Sequence, residues 1–162
     1  MPSLSVRHRR LHNQHIVGPP LGSPEEVVRW LGAVQSQDYP GGKWAVAQRT
    51  KGVVDADLDR AFNDGRILRT HVMRPTWHFV MPEDIRWLLA LTGPRVNRMT
   101  GSYYRSHGID AAMVAKARKA VEKRLRDNNH LMRAELEAVF ADVGIVLDRL
   151  GRDLRLPRRE SG

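Results

Sequence analysis

Two strand-like segments separated by only two residues constrain the fold of this chain most. Residues 66–73 (RILRTHVM) and 76–80 (TWHFV) are rich in β-branched and aromatic side chains and flank Arg74-Pro75. This pattern predicts a β-hairpin with a tight connection. The two-residue period of a strand places Trp77 and His78 on opposite faces. The other clearly periodic segments repeat at helical spacing, so the sequence predicts a mostly α protein with a small β-hairpin.

Start and stop signals divide the rest of the chain into short helices. Ser23-Pro24 followed by two glutamates predicts a helix start, because serine caps the first turn and proline suits its first position. Gly93-Pro94 is expected to end one helix and begin the next. Trp30, Trp77 and Trp87 fall in apolar patterns and are predicted to lie in the core. The predicted helices begin at Ser23, Asp55, Pro82, Pro94, Asp110 and about Leu131.

The chain is strongly basic. Its 162 residues include 27 Lys and Arg against 18 Asp and Glu, a net charge of +9. Such an excess is typical of proteins that bind phosphate backbones, although a merely basic soluble surface gives the same count. The predicted helix 111–126, with the apolar stripe Val114, Ala117, Val121 and Leu125, concentrates this charge. Its lysines and arginines form either a solvated face or a phosphate-binding surface.

Several function classes are excluded by what the sequence lacks. It has no cysteine, so disulfides, thiolate metal sites and cysteine nucleophiles are excluded. It contains no GxxxxGK[ST], GxGxxG, GxSxG or HExxH motif, which argues against a nucleotide cofactor and a hydrolase triad. The histidines have too few further ligands near them for a metal site, so we expect neither a metal nor a cofactor.

The apolar runs are too short for a membrane. The longest, Trp87 to Leu91, is far below the roughly 20 residues that span a bilayer. The first five residues lack the apolar core of a signal peptide. We therefore expect a cytoplasmic protein, associated with the nucleoid if the source is a bacterium, with no membrane partner.

Gln35-Ser36-Gln37, followed by Asp38, is the most informative polar cluster. Glutamine does not ionise and is a poor general base, but its amide can hold a water molecule or the edge of a base. Two such amides beside a carboxylate suit the positioning of a nucleophilic water. A polar helix end exposed to solvent would have the same composition, so both interpretations stay open.

Four segments together resemble a known family. They are residues 10–14 (RLHNQ), 28–39 (VRWLGAVQSQDY), 65–80 (GRILRTHVMRPTWHFV) and 82–84 (PED). In this order and spacing they resemble the N-terminal part of the winged-helix DNA glycosylase family typified by AlkZ and YcaQ. The resemblance covers roughly residues 8–145.

The resemblance implies a function and a pair of catalytic residues. The family consists of monofunctional DNA glycosylases, built from tandem winged-helix domains, that excise alkylated bases and unhook interstrand crosslinks. Its catalytic signature is Gln-x-Gln or Gln-x-Asp, and Gln35 and Gln37 match the first form. By resemblance they orient water and stabilise the sugar as it gains oxocarbenium character. Ser36 stands where the family prefers a small or aliphatic apolar residue.

The expected architecture is α+β and winged-helix-like, with an incomplete second helix-turn-helix unit. The predicted parts are an extended arm (1–22), a first winged-helix-like domain (23–108), the start of a second (109–147) and an Arg-rich frayed or disordered tail (148–162). Family members are typically more than twice as long, so we expect a truncated protein whose activity the truncation could abolish.

Duplex DNA is the expected partner. The alternatives are a non-catalytic winged-helix DNA-binding protein and an inactive gene fragment. The oligomeric state is not predicted. The residues expected to contact DNA are Arg69, His71, Arg74, His78, Arg95, Arg98, Lys116, Lys119 and Lys123.

Overall fold

A computed structural model describes residues 5–73, 76–126, 130–147 and 154–155. The chain forms two compact units, Met1–Asn97 and Arg98–Gly162, and we describe each by itself. The elements are α1 (Val6–Asn13), α2 (Pro24–Leu31), β1 (Val34–Gln35), α3 (Tyr39–Ala47), α4 (Asp55–Asn63), β2 (Leu68–Val72), β3 (Thr76–Val80), α5 (Ile85–Ser106), α6 (Ala111–Arg124), α7 (Arg133–Asp142), β4 (Val146–Leu147) and β5 (Leu154–Arg155).

The first unit is built around a three-stranded antiparallel sheet with the strand order β1-β3-β2. Phe79 lies on one face of this sheet, in a core cluster with Val27 of α2, Val46 of α3 and Leu58 of α4. Val80 lies on the other face and packs against the first turns of α5. The order α2-β1-α3-α4-β2-β3 confirms the predicted α+β, winged-helix-like fold.

Local capping explains where the helices begin. The Ser23 hydroxyl accepts a hydrogen bond from the Glu26 N–H at 3.2 Å, which confirms the predicted start of α2. Gly32, with φ at +72°, ends α2 and turns the chain into β1. The segment after β1 begins α3, because the Asp38 side chain accepts from the backbone N–H three residues later.

The hairpin is confirmed, but β1 was not predicted. Strands β2 and β3 pair from Leu68 opposite Val80 to Val72 opposite Thr76. Strand β1 has only two residues, Val34 and Gln35, and adds to the free edge of β3. Two residues are too few to show a strand period, so the sequence pattern could not reveal this third strand.

The N-terminal segment is helical, so the predicted extended arm is wrong for this part of the chain. Helix α1 starts at Ser5, whose hydroxyl accepts from the His8 N–H at 3.3 Å. None of the residues of α1, all of which the structure describes, is buried. A helix that buries no face needs no apolar stripe, so the sequence pattern did not reveal it. The end of α1 is held by tertiary contacts instead, since the Trp30 indole donates to the Asn13 carbonyl at 3.0 Å and Arg49 to that of Gln14 at 2.7 Å.

The predicted break at Gly93-Pro94 is also wrong, because α5 runs through Pro94 without ending. Proline removes the N–H that would bond to the carbonyl of Ala90, at a cost of about 3 kcal/mol in a helix interior. The helix spans 22 residues, so this is one lost bond among many. Thr92 also ties the helix to the hairpin, since its hydroxyl accepts from the Met73 N–H at 3.2 Å.

Two tryptophans predicted for the core lie at the surface. Trp30 is 59% exposed and Trp87 is 50% exposed. The Trp30 indole N–H bonds to the Asn13 carbonyl, and that of Trp87 to the Asp84 carboxylate at 2.6 Å. The buried positions are occupied instead by small aliphatic side chains such as Val27 and Val28. The apolar pattern therefore predicted a buried helix face correctly, but the tryptophan rings lie at the exposed edge of that face.

The second unit contains α6, α7 and a two-stranded antiparallel sheet of β4 and β5. Its core holds Ile109, Met113, Ala117 and Ile145. The predicted apolar stripe of α6 is therefore corrected, because Met113 is buried whereas Val114 is exposed. Asp110 caps α6 as predicted, because its carboxylate accepts a hydrogen bond from the Met113 N–H at 2.7 Å.

The domain assignment stays partly open. The boundary between the compact units lies within α5, whereas the sequence placed it after residue 108. The predicted tail at 148–162 lies outside the described residues, apart from Leu154–Arg155 in β5. The winged-helix nature of the second unit stays a prediction.

A buried lysine links α3 to α4. The Lys43 ammonium lies 2.7 Å from an Asp55 carboxylate oxygen and 3.0 Å from one of Asp59. The Tyr39 hydroxyl donates to the same Asp59 oxygen at 2.9 Å. Hydrogen bonds from Lys43 and Tyr39 hold the pKa of Asp59 below its usual value of 3.8. Asp59 is therefore more stable as a carboxylate in the folded chain.

Replacing Asp59 with asparagine is expected to change the acid sensitivity of the fold. Because the folded pKa lies below the unfolded value of 3.8, the stabilisation by Asp59 is present above that pH and is lost as the pH falls through the folded pKa. The Asp59→Asn variant should be less stable than wild type at neutral pH, and the difference should shrink in acid. Urea unfolding across this pH range measures it, and a difference independent of pH would contradict the prediction.

Candidate catalytic site

The Gln-Ser-Gln segment lies on the short connection between α2 and α3. Gln35 ends β1, and Gln37 precedes the Asp38 cap of α3. The side chains of Gln35 and Gln37 are exposed, whereas Ser36 between them is completely buried. The two glutamine amides therefore face the solvent, while the residue between them is buried in the protein.

Trp77 of β3 holds this backbone in register. The Ser36 N–H donates to the Trp77 carbonyl at 2.8 Å, and the Trp77 N–H donates to the side-chain Oε1 of Gln37 at 3.2 Å. The Gln37 side chain thereby supplies the Trp77 N–H with the acceptor that a backbone carbonyl of a longer β1 would provide. Because a backbone N–H can only donate, this contact fixes the orientation of the amide and leaves its NH₂ group for other partners.

Arg69 of β2 donates hydrogen bonds to the backbone of the same segment. Its Nε and Nη2 donate to the Ser36 carbonyl at 3.1 and 2.9 Å, and Nη2 lies 3.3 Å from the Gln37 carbonyl. The guanidinium carbon lies 4.7 Å from the centre of the Trp77 ring and 5.4 Å from that of Tyr39. The structure thus brings Arg69, which the sequence predicted as a DNA contact, onto the backbone of the glutamine pair.

A polar row crosses the sheet beside Gln35. Gln35 is opposite His78, and His78 is opposite Thr70, so the three side chains share one face. His78 is only 5% exposed, and its Nδ1 lies 2.9 Å from the Thr76 carbonyl, so this nitrogen carries the proton. The DNA contact predicted for His78 stays a prediction, but in this structure little of its surface can meet a ligand.

Gln35 also lines a cavity of about 410 Å³. Gln14, at the end of α1, and Arg49, just after α3, line the same cavity together with the aliphatic side chains of α2, β1 and α3. Burial lowers the pKa of Arg49, whose guanidinium donates to the Gln14 carbonyl at 2.7 Å. Arg49 was not singled out from the sequence, because its contact with Gln14 joins residues far apart in the chain.

Ser36 is packed tightly and lacks a polar partner. A Cβ placed on Gly42 of α3 would lie 2.8 Å from the Ser36 Cβ, so the first turns of α3 press directly on the segment. The buried Ser36 hydroxyl has no hydrogen-bond partner among the described residues. This environment suits a small apolar side chain better than a hydroxyl.

The Ser36→Ala variant is expected to be more stable than wild type. It removes a buried hydroxyl with no partner and keeps the Cβ, and such an unsatisfied group costs about 1–3 kcal/mol. We expect a gain of about 1 kcal/mol in the free energy of unfolding, measured by urea denaturation. A loss of stability would show that the hydroxyl has a partner that this structure does not reveal.

The other predicted DNA contacts are placed as follows. His71 is exposed at the hairpin, with its ring centre 4.0 Å from that of Trp77. Arg95 is exposed on α5, and Arg74 lies outside the described residues. The second unit exposes four of the predicted cations. They are Arg98, Lys116, Lys119 and Lys123.

No metal centre or membrane segment is found in the described parts of the chain. No group of three or more His, Asp or Glu side chains there could hold a metal ion. None of the described helices is both long and apolar enough to cross a bilayer.

The first unit is winged-helix-like and presents two glutamines from the connection between α2 and α3. The model of one protein family, described as DNA glycosylase AlkZ-like, matches residues 28–151. The chain therefore belongs to the AlkZ-like DNA glycosylase family. Comparison with curated proteins and with solved structures gave no match.

Proposed function

We propose that this chain excises alkylated bases from duplex DNA, or unhooks alkylated crosslinks, with Gln35 and Gln37 at the reaction centre. One observation carries the proposal: two exposed amides flank the buried Ser36, whose backbone is bonded to both Trp77 and Arg69. A polar helix end that is merely exposed to solvent, which was the other interpretation of this segment, would not need its backbone bonded to two strands. Membership of the family supplies the reaction class.

The chemistry fits neutral amides. Water adds to the anomeric carbon of the sugar while the bond to the base breaks, and the bonding electrons leave with the base. An alkylated purine that carries a positive charge leaves as a neutral base, so it needs little protonation. The protein must then position the water and stabilise positive charge on the sugar, which oriented amide dipoles do.

The two glutamines take different parts in this proposal. Gln35 is exposed and has no side-chain hydrogen bond to another described residue, so its Oε1 is available to accept a hydrogen bond from the attacking water, whose proton passes to the solvent. The Oε1 of Gln37 is already bonded to the Trp77 N–H, so Gln37 offers its NH₂ group to hold the water oxygen in place. Together they supply an acceptor and a donor to one water molecule.

The proposal is tested by base release from duplex DNA that carries N7-methylguanine. Purified protein and the Gln35→Ala/Gln37→Ala double variant are incubated with it, and abasic sites are scored. Release by wild type and not by the variant supports the proposal. No release from this duplex or from one carrying an N7-alkyl crosslink contradicts it, and equal release by both proteins contradicts the assignment of the glutamines.

A non-catalytic DNA-binding function is the second candidate, and the charge of α6 favours it. Lys116, Lys119 and Lys123 recur at three- and four-residue spacing, which places them on one side of the helix. All three are exposed and have no ion-pair partner among the described residues. They are suited to contact successive phosphates of a nucleic acid whether or not a reaction follows.

Replacing these three lysines with glutamine is expected to weaken DNA binding and its salt dependence. Each phosphate contact contributes about 0.9 to the slope of log K against log salt for duplex DNA, so the slope should fall by up to about 2.7. Fluorescence anisotropy at several salt concentrations measures this. The matched variant Arg118→Gln changes a cation that is paired with Glu122 on the same helix, and it should have a smaller effect. An unchanged slope in the triple variant would exclude this face as a DNA contact.

A further inference from the structure

We infer that Arg69 is a positioning residue that holds the Gln35-Ser36-Gln37 backbone in its reactive arrangement. This inference rests on the proposed glycosylase function. It assigns to Arg69 a part within the protein, acting through the glutamines, in place of direct contact with DNA phosphates.

The contacts of Arg69 are those of a clamp. Two nitrogens of its planar fork meet the single carbonyl of Ser36, and one of them also approaches the Gln37 carbonyl. A planar guanidinium can hold two adjacent carbonyls with defined directions, whereas an ammonium acts as a point charge. The side chain thereby fixes the two peptide groups that flank Gln37, and with them the direction in which the Gln37 side chain leaves the backbone.

The surroundings of Arg69 restrain it in this position. Its guanidinium lies over the Trp77 ring and near the Tyr39 ring, and the residue is half-buried. Two of its three nitrogens already donate to the Ser36 carbonyl. Swinging out to a phosphate would break these bonds and uncover the face of Trp77, so the arrangement favours the internal role.

Trp77 connects the clamp to the amide of Gln37. Its ring contacts the Arg69 guanidinium, while its backbone N–H binds Gln37 Oε1 and its carbonyl receives the Ser36 N–H. Loss of the guanidinium therefore removes the hydrogen bonds on one side of the segment and the ring contact that holds Trp77 on the other. The expected result is a Gln37 amide that no longer keeps one orientation.

The test compares Arg69→Lys with wild type in three measurements. Single-turnover base release from the N7-methylguanine duplex should fall about 10²-fold, the loss associated with a displacement of about 1 Å at a reacting centre. DNA affinity and its salt slope should stay unchanged in Arg69→Lys and also in Arg69→Gln, which removes the charge, because Arg69 makes no phosphate contact in this arrangement. In ¹H–¹⁵N NMR spectra, the Gln37 side-chain amide and the Trp77 backbone amide should shift. Arg66→Lys is the matched control, since Arg66 lies just before β2, pairs with Glu25 and Asp64, and has no hydrogen bond or ion pair with the glutamine pair.

The outcomes separate the inference from the proposed function. A fall in the affinity and salt slope of the charge-removing Arg69→Gln variant, with an unchanged release rate in Arg69→Lys, would show that Arg69 binds phosphate directly, and would overturn the inference. Unshifted Gln37 and Trp77 amides would overturn it as well, whatever the activity. If wild type releases no base, the proposed function fails, while the NMR comparison still decides whether Arg69 holds the segment. Thermal unfolding and the circular dichroism of Arg69→Lys establish that the variant is folded.

Discussion

The Gln35→Ala variant is expected to release N7-methylguanine about 10²–10³-fold more slowly than wild type, with unchanged affinity for the same duplex. This magnitude is typical when one preorganised dipole that stabilises developing charge is removed. The Gln35 side chain is exposed and has no hydrogen bond to the described residues, so its loss should leave the stability of the fold nearly unchanged. Single-turnover kinetics, anisotropy and thermal unfolding measure the three quantities separately.

The Gln37→Ala variant should behave differently. The Gln37 amide also accepts from the Trp77 N–H, so its removal should slow release and also loosen the edge of the sheet. A lost hydrogen bond of this kind costs about 0.5–1.5 kcal/mol of stability. Gln48→Ala, which changes an exposed glutamine at the end of α3, is the matched control and should affect neither quantity. Equal release by Gln35→Ala and Gln48→Ala would remove Gln35 from the reaction.

Local patterns predicted the parts of the fold that local interactions determine. The hairpin and the starts of α2 and α6 follow from strand alternation and from capping side chains, and the structure confirms them. Helix α1 ends in a contact between Asn13 and the distant Trp30, and α5 is tied near Pro94 to the hairpin through Thr92. Such contacts do not show in a short window of sequence, although the Ser5 cap of α1 is a local signal that the sequence interpretation did not use.

The same limit applies to the candidate site. The glutamine pair was found because its two members are adjacent in sequence and resemble a family signature. Arg69 was predicted only as a DNA contact, since its bonds join β2 to the residue after β1, and α3 and α4 lie between them in the chain. The two-residue period of a strand places Arg69 on the same face of β2 as His71, but nothing in the sequence indicates that this face meets the Gln-Ser-Gln segment.

Gly42→Ala is expected to destabilise the first unit and to slow base release, although a glycine-to-alanine change inside a helix ordinarily stabilises it. The new Cβ would lie 2.8 Å from the Ser36 Cβ and 3.0 Å from both the Ser36 Cα and the Phe79 ring. Overpacking of this kind typically costs about 1–3 kcal/mol. For a domain of 60–100 residues, each 1 kcal/mol corresponds to about 4–8 °C in Tm.

The effect on activity follows from which atoms must move. Phe79 is part of the core that holds α2, α3 and α4, so the smaller rearrangement is a shift of the Ser36 backbone away from α3. That shift would lengthen the bonds from Arg69 and displace both glutamines. Gly93→Ala is the matched control, because its Cβ would meet no described atom within 4 Å and should stabilise α5 by up to about 1 kcal/mol. If Gly42→Ala raised Tm as Gly93→Ala is expected to, the close packing of α3 on Ser36 could not be what holds the glutamine pair in place.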